Sequence, residues 1–251
     1  MKLPATFFTR PITHRGLHDR SKGVIENSMS AFQAAIDAGY GIELDVQMSS
    51  DAQAMVFHDY DMARLTGERG PIQIRTTKTV QGMTLKNSSD TIFDLPAVLE
   101  LIDGRVPVLI EIKDQDGAMG PNIGPLEKAV ADALKGYQGD AAVMSFNPHS
   151  VTHMAELAPE RPRGLVTGAF RPKNWAPLPE KILDRLRGIP DYEACQASFI
   201  SHSVADLSRP RVAELKKQGA DVLCWTVKSQ VQADSAASVA NNITFEGFTP
   251  A

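Results

Sequence analysis

The sequence of 251 residues predicts an α/β protein, a (β/α)8 TIM barrel. Short β-branched or leucine-rich runs alternate with segments whose apolar residues have helical spacing, a pattern typical of a mostly parallel sheet. Nine strand-like runs in a chain of this length favour one closed barrel over an open sheet. We therefore expect a single domain over residues 1–251, with one strand-like run more than a barrel needs.

The individual elements follow from local patterns along the chain. The strand-like runs are "RPITH", "YGIELDV", "AMVFH", "VPVLIEIK", "DAAVMSF", "PRGLVTG", "ASFIS", "DVLCWTV" and "NITFE". The helix-like segments are "SMSAFQAAIDAG", "LPAVLELIDG", "GPLEKAVADALKGY", "PHSVTHMAELA", "SRPRVAELKKQG" and "SQVQADSAASVA". Several of these end at a glycine, which is a common helix terminator.

The second and third strand-like runs are separated only by "QMSSDAQ". A parallel crossover needs about a dozen residues or more, so these two runs are predicted to form a hairpin. Folding back near Asp51 would bring His58 close to Asp45. The polar, irregular segment that follows, at about residues 59–94, is longer than an ordinary loop and is predicted to be a small insertion or lid.

Composition excludes some classes of partner. The formal net charge of -4 and the pI near 5.9 argue against nucleic acid, so an anionic ligand must be met by locally placed cations. The sequence has no uncharged apolar run of membrane-spanning length and no secretory leader, which predicts a cytoplasmic protein without stable membrane insertion. It does not indicate an oligomeric state.

Two strand-like runs carry charge where apolar residues are expected. In "IELDV" the alternation of a strand turns Ile42 and its apolar neighbours towards the helices, and Glu43 and Asp45 towards the barrel interior. The same alternation in "LIEIK" turns Glu111 and Lys113 inward. Three carboxylates are therefore predicted to converge in one interior.

Crowded carboxylates must bind protons, pair with cations or hold a metal ion. A buried ion-pair network would also explain a single acidic residue in a strand, but paired inward charges on two strands favour a site. Oxygen ligands suit a hard cation, so we expect one divalent ion, Mg²⁺ or Ca²⁺, at Glu43, Asp45 and Glu111.

His14 and His58 close two of the strand-like runs, so both are predicted at the carboxyl-terminal mouth of the barrel, where the active sites of this fold form. Two histidines beside a metal site supply a general acid and a general base that titrate near neutral pH. Arg15 offers a planar fork that fits phosphate oxygens. Together these groups indicate phosphoryl chemistry.

"HRG" followed by "EN", "IELDV", "FHD", "IEIK", "MSF" and "WTV" resembles the glycerophosphodiester phosphodiesterase family, relatives of the phosphatidylinositol-specific phospholipases C. The resemblance covers nearly the whole chain and implies a barrel of the PLC-like phosphodiesterase type with an insertion after the "HD" pair. It implies metal-dependent hydrolysis of a small glycerophosphodiester to an alcohol and sn-glycerol 3-phosphate.

The same resemblance assigns roles to individual residues. It implies that His14 and His58 are the acid/base pair and that Glu43, Asp45 and Glu111 bind the metal. The residues it places around the phosphate and substrate are Arg15, Lys113, Glu26, Asn27 and Trp225.

The chain also departs from the family pattern at three positions. Asp51-Ala52 replaces the usual Asp-Gly, which weakens the expectation of a tight turn with positive φ. "NITFEGF" replaces a common Thr-Asp-x-Pro, so that end of the pocket is expected to differ. "ENS" replaces "ENT".

Three other functions remain open. A carboxylate-enolising barrel would also use acidic metal ligands, and a non-catalytic barrel could bind a phosphorylated metabolite. Lysophospholipase D-like or another phosphodiester hydrolysis would use the same fold. The sequence leaves undecided the alcohol, the metal, which histidine is the acid, and whether a glycerol hydroxyl or water attacks.

Overall fold

A computed structural model describes residues 2–251, in which eight parallel strands close into a barrel. The strands are β1 (Ile12–Thr13), β2 (Gly41–Met48), β4 (Val108–Ile112), β5 (Ala141–Ser145), β6 (Arg163–Thr167), β7 (Phe199–Ser203), β8 (Asp221–Val227) and β9 (Asn242–Phe245), and β3 (Ala54–Val56) lies outside the barrel. Pairing of β1 with both β2 and β9 closes the barrel. The predicted fold is confirmed.

Helices connect most of the parallel strands. They are α1 (Met29–Asp37), α2 (Thr77–Gln81), α3 (Leu95–Ile102), α4 (Pro125–Leu134), α5 (Pro148–Leu157), α6 (Pro172–Trp175), α7 (Glu180–Gly188), α8 (Pro210–Lys217) and α9 (Gln230–Ala236). Several begin with proline, whose fixed φ suits the first helical position. Ser28 and Asp94 cap α1 and α3 by accepting hydrogen bonds from backbone N–H groups of the first turn.

The outward faces of β2 and β4 form the largest apolar core with the surrounding helices. Ile42 and Leu44 from β2 pack with Ile110 from β4 and with Phe32 from α1. The apolar residues of both strands therefore face the helices, as strand alternation predicted, and the acidic residues of both strands face the interior.

The amino-terminal end of the barrel is closed from below. A 3-10 helix at Ala5–Phe8 precedes β1, and its fully buried Phe7 packs with Leu3, Leu109 and Phe199 in the cluster that fills the lumen. The interior is therefore packed with apolar side chains at this end and carries its polar groups at the other.

The predicted hairpin between β2 and β3 is present. Val46 pairs with Val56 in antiparallel register. The expectation that Ala52 weakens the tight turn was wrong, because Ala52 adopts φ 57. The Asp51 carboxylate stabilises the turn by accepting hydrogen bonds from the Ser49 hydroxyl and from the backbone N–H of Thr77.

The segment between β3 and α3 is ordered around an apolar cluster of its own. Met62, Leu65, Ile72 and Val80 are buried there against Phe57, the residue that follows β3. The insertion expected after the third strand-like run is thus present. Its bounds at 59–94 and the division of the chain into one domain stay predictions.

Within residues 2–251, none of the helices combines the length and the apolar character that crossing a membrane requires.

Candidate active site

A cavity of about 430 Å³, including its open mouth, lies at the carboxyl-terminal end of the barrel. This size falls in the range of about 300–1,000 Å³ that is common for small-molecule sites. Charged and polar residues on one side are His14, Arg15, Glu43, His58, Glu111 and Lys113, and the remaining lining residues are Met144, Phe146, Val166, Ser201, Trp225, Thr226 and Thr244.

Three buried carboxylates form the centre of the charged side. Glu43 and Asp45 from β2 and Glu111 from β4 each offer one oxygen atom, and these oxygens lie within 4.8 Å of one another. Lys113 Nζ lies 2.9 Å from Asp45 Oδ1 and 2.6 Å from Glu111 Oε1. One lysine therefore partly neutralises the cluster from the side.

The charges in this cluster are unequally compensated. Burial raises the pKa of Glu43 well above its usual value, and the neighbouring Asp45 and Glu111 raise it further. Burial acts in the same direction on Asp45, but Lys113, His58 and Arg15 together hold its pKa below the usual range. Asp45 is thus a carboxylate, whereas Glu43 lacks sufficient positive charge around it.

The donor set fits a divalent cation. All three ligand groups are carboxylates on rigid strands, they are buried, and none of them is a thiol or an imidazole. Oxygen donors of this kind suit Mg²⁺ or Ca²⁺, and a cation would supply the positive charge that Glu43 lacks. The acidic cluster can therefore hold a metal ion.

Arg15 lies in a turn after β1 with φ 59, in the left-handed region. Its backbone N–H donates to Glu43 Oε2 at 3.0 Å, and its guanidinium Nη1 donates to Glu26 Oε1 at 2.6 Å. The amide of Asn27 donates to Asp45 Oδ2 at 2.9 Å. Glu26 and Asn27 thus lie behind the cavity wall and fix the groups that line it.

Arg64 links the insertion to this network. Its guanidinium donates to both carboxylate oxygens of Glu26 at 2.8 Å and to Asp59 Oδ2 at 2.6 Å. Burial of Glu26 opposes its ionisation, but Arg64 and Arg15 lower its pKa to about 2. The insertion therefore helps to hold the carboxylate that orients Arg15.

His58 follows β3 and reaches the cavity from the hairpin. Its Nδ1 lies 2.7 Å from Asp59 Oδ1, and Asp59 is itself held by Arg64. The hairpin brings His58 close enough for its charge to act on Asp45, as the sequence predicted. With Nδ1 engaged by Asp59, Nε2 is the ring nitrogen left for a substrate.

His14 has a corresponding partner on the opposite side. Its Nδ1 lies 2.6 Å from Oε2 of Glu246, the residue that directly follows β9. Burial lowers the pKa of His14, and the hydrogen bond to Glu246 opposes that shift. Glu246 also pairs with Lys228 and lies 3.8 Å from His18 Nε2.

The far wall of the cavity is largely apolar. The Trp225 indole N–H donates to the backbone carbonyl of Ser201 at 2.9 Å, and its ring meets Phe146 edge to face at a centroid distance of 5.5 Å. Val166 and Met144 complete this wall. The cavity therefore has one charged side and one apolar side.

The glycerophosphoryl diester phosphodiesterase family model matches residues 14–244 of the chain. The chain belongs to this family. A glycerophosphodiester phosphodiesterase of Caldanaerobacter subterraneus subsp. tengcongensis is 33% identical over 168 residues, which are 63% of this chain and 66% of the relative. YhdW of Bacillus subtilis, provisionally named for the same activity, is 27% identical over 87% of this chain and 86% of its own length.

The fold is shared with solved structures of glycerophosphodiester phosphodiesterases. An Oleispira antarctica phosphodiesterase, determined in complex with the product sn-glycerol-3-phosphate, superposes with a TM-score of 0.77 at 21% identity, over 96% of this chain and 94% of that chain. A structure from Silicibacter pomeroyi also gives a TM-score of 0.77, at 19% identity, and covers 94% of this chain and 89% of that chain.

All ten residues singled out in the sequence lie in or directly behind this cavity of the phosphodiesterase. Sequence reasoning gave no role to five polar residues of the site, Glu246, Asp59, Arg64, Ser201 and Thr244, although Glu246, Ser201 and Thr244 lie within its strand-like runs. Two signals were available: Glu246 is a charge at the end of a barrel strand, and Asp59 directly follows His58. Nothing local in the sequence marks Arg64.

Proposed function

We propose that the protein hydrolyses glycerophosphodiesters to an alcohol and sn-glycerol 3-phosphate with the help of a divalent cation, Mg²⁺ or Ca²⁺. One observation carries the proposal: a cavity of the size of a small ligand is lined by two carboxylate-held histidines, two cationic side chains and two members of a buried carboxylate triad, whose third member is Asp45. Membership of the phosphodiesterase family supports it, and so does the sn-glycerol-3-phosphate in the Oleispira antarctica complex.

Glu43, Asp45 and Glu111 would hold the cation, whose positive charge would polarise the phosphoryl group when it is bound. Arg15 and Lys113 line the same cavity and would neutralise charge on the phosphoryl oxygens as it grows in the transition state. Both cations are fixed in advance by carboxylates, so they need not reorganise when the substrate reacts.

His14 and His58 would act as the acid/base pair. Each ring is held at Nδ1 by a carboxylate, which leaves Nε2 to exchange protons with the substrate. One imidazole would remove the proton of the attacking hydroxyl, either a glycerol hydroxyl or water, while the other would protonate the departing alkoxide. Trp225 would form the wall against which the substrate packs. A cytoplasmic location remains part of the proposal.

The test measures sn-glycerol 3-phosphate released from glycerophosphocholine and glycerophosphoethanolamine, with Mg²⁺, with Ca²⁺ and with chelator. We expect metal-dependent release, and we expect His14→Asn and His58→Asn each to lower kcat by about 100-fold or more. His149→Asn, at a half-buried position near the start of α5 that is not among the cavity-lining residues, is the control and should keep full activity.

Release of choline and lysophosphatidic acid from lysophosphatidylcholine, measured under the same conditions, tests the lysophospholipase D alternative. Release that persists in chelator would contradict the role of the acidic triad. Near-normal turnover in both active-site histidine variants would contradict the acid/base assignment. Binding of sn-glycerol 3-phosphate without turnover of any diester would identify the protein as a binding barrel instead.

A further inference from the structure

Among residues 2–251, two hydroxyl groups in the cavity wall have no hydrogen-bond partner. Ser201 on β7 and Thr244 on β9 are 0% and 1% exposed, and both line the cavity. Their hydroxyl oxygens are buried and unpartnered within the described residues. A buried polar group left unsatisfied destabilises the folded state, so such groups are normally paired.

Their surroundings offer no partner from the protein. The other lining residues here are Val166, Met144, Phe146, Trp225 and Thr226, and none of them hydrogen-bonds to either hydroxyl. The indole N–H of Trp225 is already used on the backbone carbonyl of Ser201. Both residues face the lumen, because Thr244 pairs with the buried Ile12 and Ser201 with the buried Leu223 of the lumen cluster. A partner for either hydroxyl must therefore come from the contents of the cavity.

We propose that Ser201 and Thr244 bind the free hydroxyl groups of the glycerol half of the substrate. The inference rests on the proposed function and adds the orientation of the diester in the cavity. The phosphate would lie at Arg15 and Lys113, the glycerol half would point at the far wall, and the alcohol would point out of the open mouth.

The chemistry of this wall suits a neutral polyol. A hydroxyl side chain both donates and accepts, as a glycerol hydroxyl does, and the apolar surface beside it accommodates the carbon chain. Glu246 lies two residues after Thr244, but its carboxylate is already held by His14 and Lys228 and is not among the lining residues, so a neutral polyol suits this wall better than a cationic head group. Ser201 and Thr244 would therefore recognise the glycerol half of the substrate. They would not discriminate between different alcohol groups.

The test compares binding of sn-glycerol 3-phosphate with that of n-propyl phosphate, which lacks both hydroxyls, by calorimetry with divalent metal present. Wild type should prefer sn-glycerol 3-phosphate. Ser201→Ala and Thr244→Val should each reduce that preference by about 2- to 10-fold, the usual value of one hydrogen bond. The affinity for n-propyl phosphate should stay unchanged.

Thr13→Val is the matched control, because the buried Thr13 hydroxyl donates to the carbonyl of Gly41 at 2.9 Å. That variant should lose thermal stability and keep the ligand preference. Ser201→Ala and Thr244→Val should show the reverse, with an unfolding temperature in the ligand-free protein that is unchanged or higher. A loss of ligand-free stability in both variants, with the ligand preference unchanged, would assign the hydroxyls a structural role and overturn the inference.

The same experiment separates this inference from the proposed function. If the wild-type protein hydrolyses glycerophosphodiesters but binds sn-glycerol 3-phosphate and n-propyl phosphate equally, the role of Ser201 and Thr244 is refuted and the proposed function is not. Wild-type protein that hydrolyses no diester would refute the proposed function, and a loss of preference for sn-glycerol 3-phosphate in the two variants would still support the wall.

Discussion

Glu246 connects the last barrel strand to His14, one of the two histidines proposed for catalysis. It lies directly after β9, and the next strand in the closed sheet is β1, which ends just before His14. The hydrogen bond with His14, together with the nearby His18 and Lys228, holds the pKa of Glu246 below its usual range. A carboxylate in this position fixes which ring nitrogen of His14 bears a proton.

We predict that Glu246→Gln lowers kcat by about 10- to 100-fold with little change in KM, as is common for groups that orient a functional side chain. The glutamine amide has nearly the same shape but can donate to Nδ1, which permits the wrong tautomer of His14. Steady-state kinetics on a glycerophosphodiester measures the effect. Lys228→Gln, which removes only the exposed cation beside Glu246, is the control and should retain activity. A raised KM with unchanged kcat would count against the orienting role.

Whether the sequence could reveal a residue depended on how local its signal was. Glu43 and Glu111 could be placed because strand alternation determines which face a side chain occupies. Glu246 lies where the chain departs from the family pattern, so the resemblance gave no role to that position. Arg64 reaches Glu26 across 38 positions of sequence, and only the folded insertion brings the two together. The free hydroxyl of Ser201 is a property of its neighbours, which the sequence does not show.

At the scale of elements, the hairpin of β2 and β3 brings His58 to the acidic cluster. Its turn contains Ala52 with φ 57, a conformation that costs a residue with a Cβ about 1–2 kcal/mol. Glycine would avoid this cost, although it loses about 0.5–1 kcal/mol more than alanine in conformational entropy on folding. The chain therefore keeps a mildly strained turn beside its active site.

We predict that Ala52→Gly stabilises the protein slightly, by up to about 1 kcal/mol, because relief of the left-handed strain exceeds the entropy cost. For a chain of this size that corresponds to a rise of about 2–4 °C in Tm, measurable by calorimetry. Ala38→Gly provides the comparison: Ala38 ends α1 with φ -86, so glycine relieves no strain there and should destabilise. A lower Tm for Ala52→Gly would show that the bonds of Asp51 already compensate the turn.

The hairpin and the insertion were predictable because each follows from length alone: one connection is too short for a helix, and the next is too long for a loop. The 3-10 helix at Ala5–Phe8 was not predictable in this way. Its segment shows no periodic pattern, and its burial depends on an open barrel end that exists only once all eight strands have closed.

For the molecule as a whole, His202 couples stability to pH. It is fully buried on β7, its Nδ1 lies 2.7 Å from the Thr167 hydroxyl, and its Nε2 faces Asp206, which also pairs with Arg209. Burial lowers the pKa of His202, although Asp206 opposes the shift. The unfolded chain therefore binds a proton at this residue more readily than the folded protein does.

The sign of the effect follows from this difference. Stability contributed by His202 is fully present above its unfolded pKa of about 6.5 and is lost as the pH falls through the lower folded value. We predict that the free energy of unfolding, measured with urea, falls less between about pH 7.5 and pH 5 in His202→Gln than in wild type. His153→Gln, at a partly exposed position of α5, is the control for loss of a histidine elsewhere in the chain. An identical pH dependence in His202→Gln would contradict the prediction.

Phe7 and its neighbours fill the amino-terminal end of the barrel, and the cavity opens at the carboxyl-terminal end of the strands. If the substrate enters with its glycerol half foremost, its two products must leave in the order opposite to that in which the two halves entered. The alcohol, nearest the opening, would diffuse away first, and sn-glycerol 3-phosphate would leave last. In kinetic terms, sn-glycerol 3-phosphate should compete with the substrate for the free enzyme, whereas the released alcohol should not.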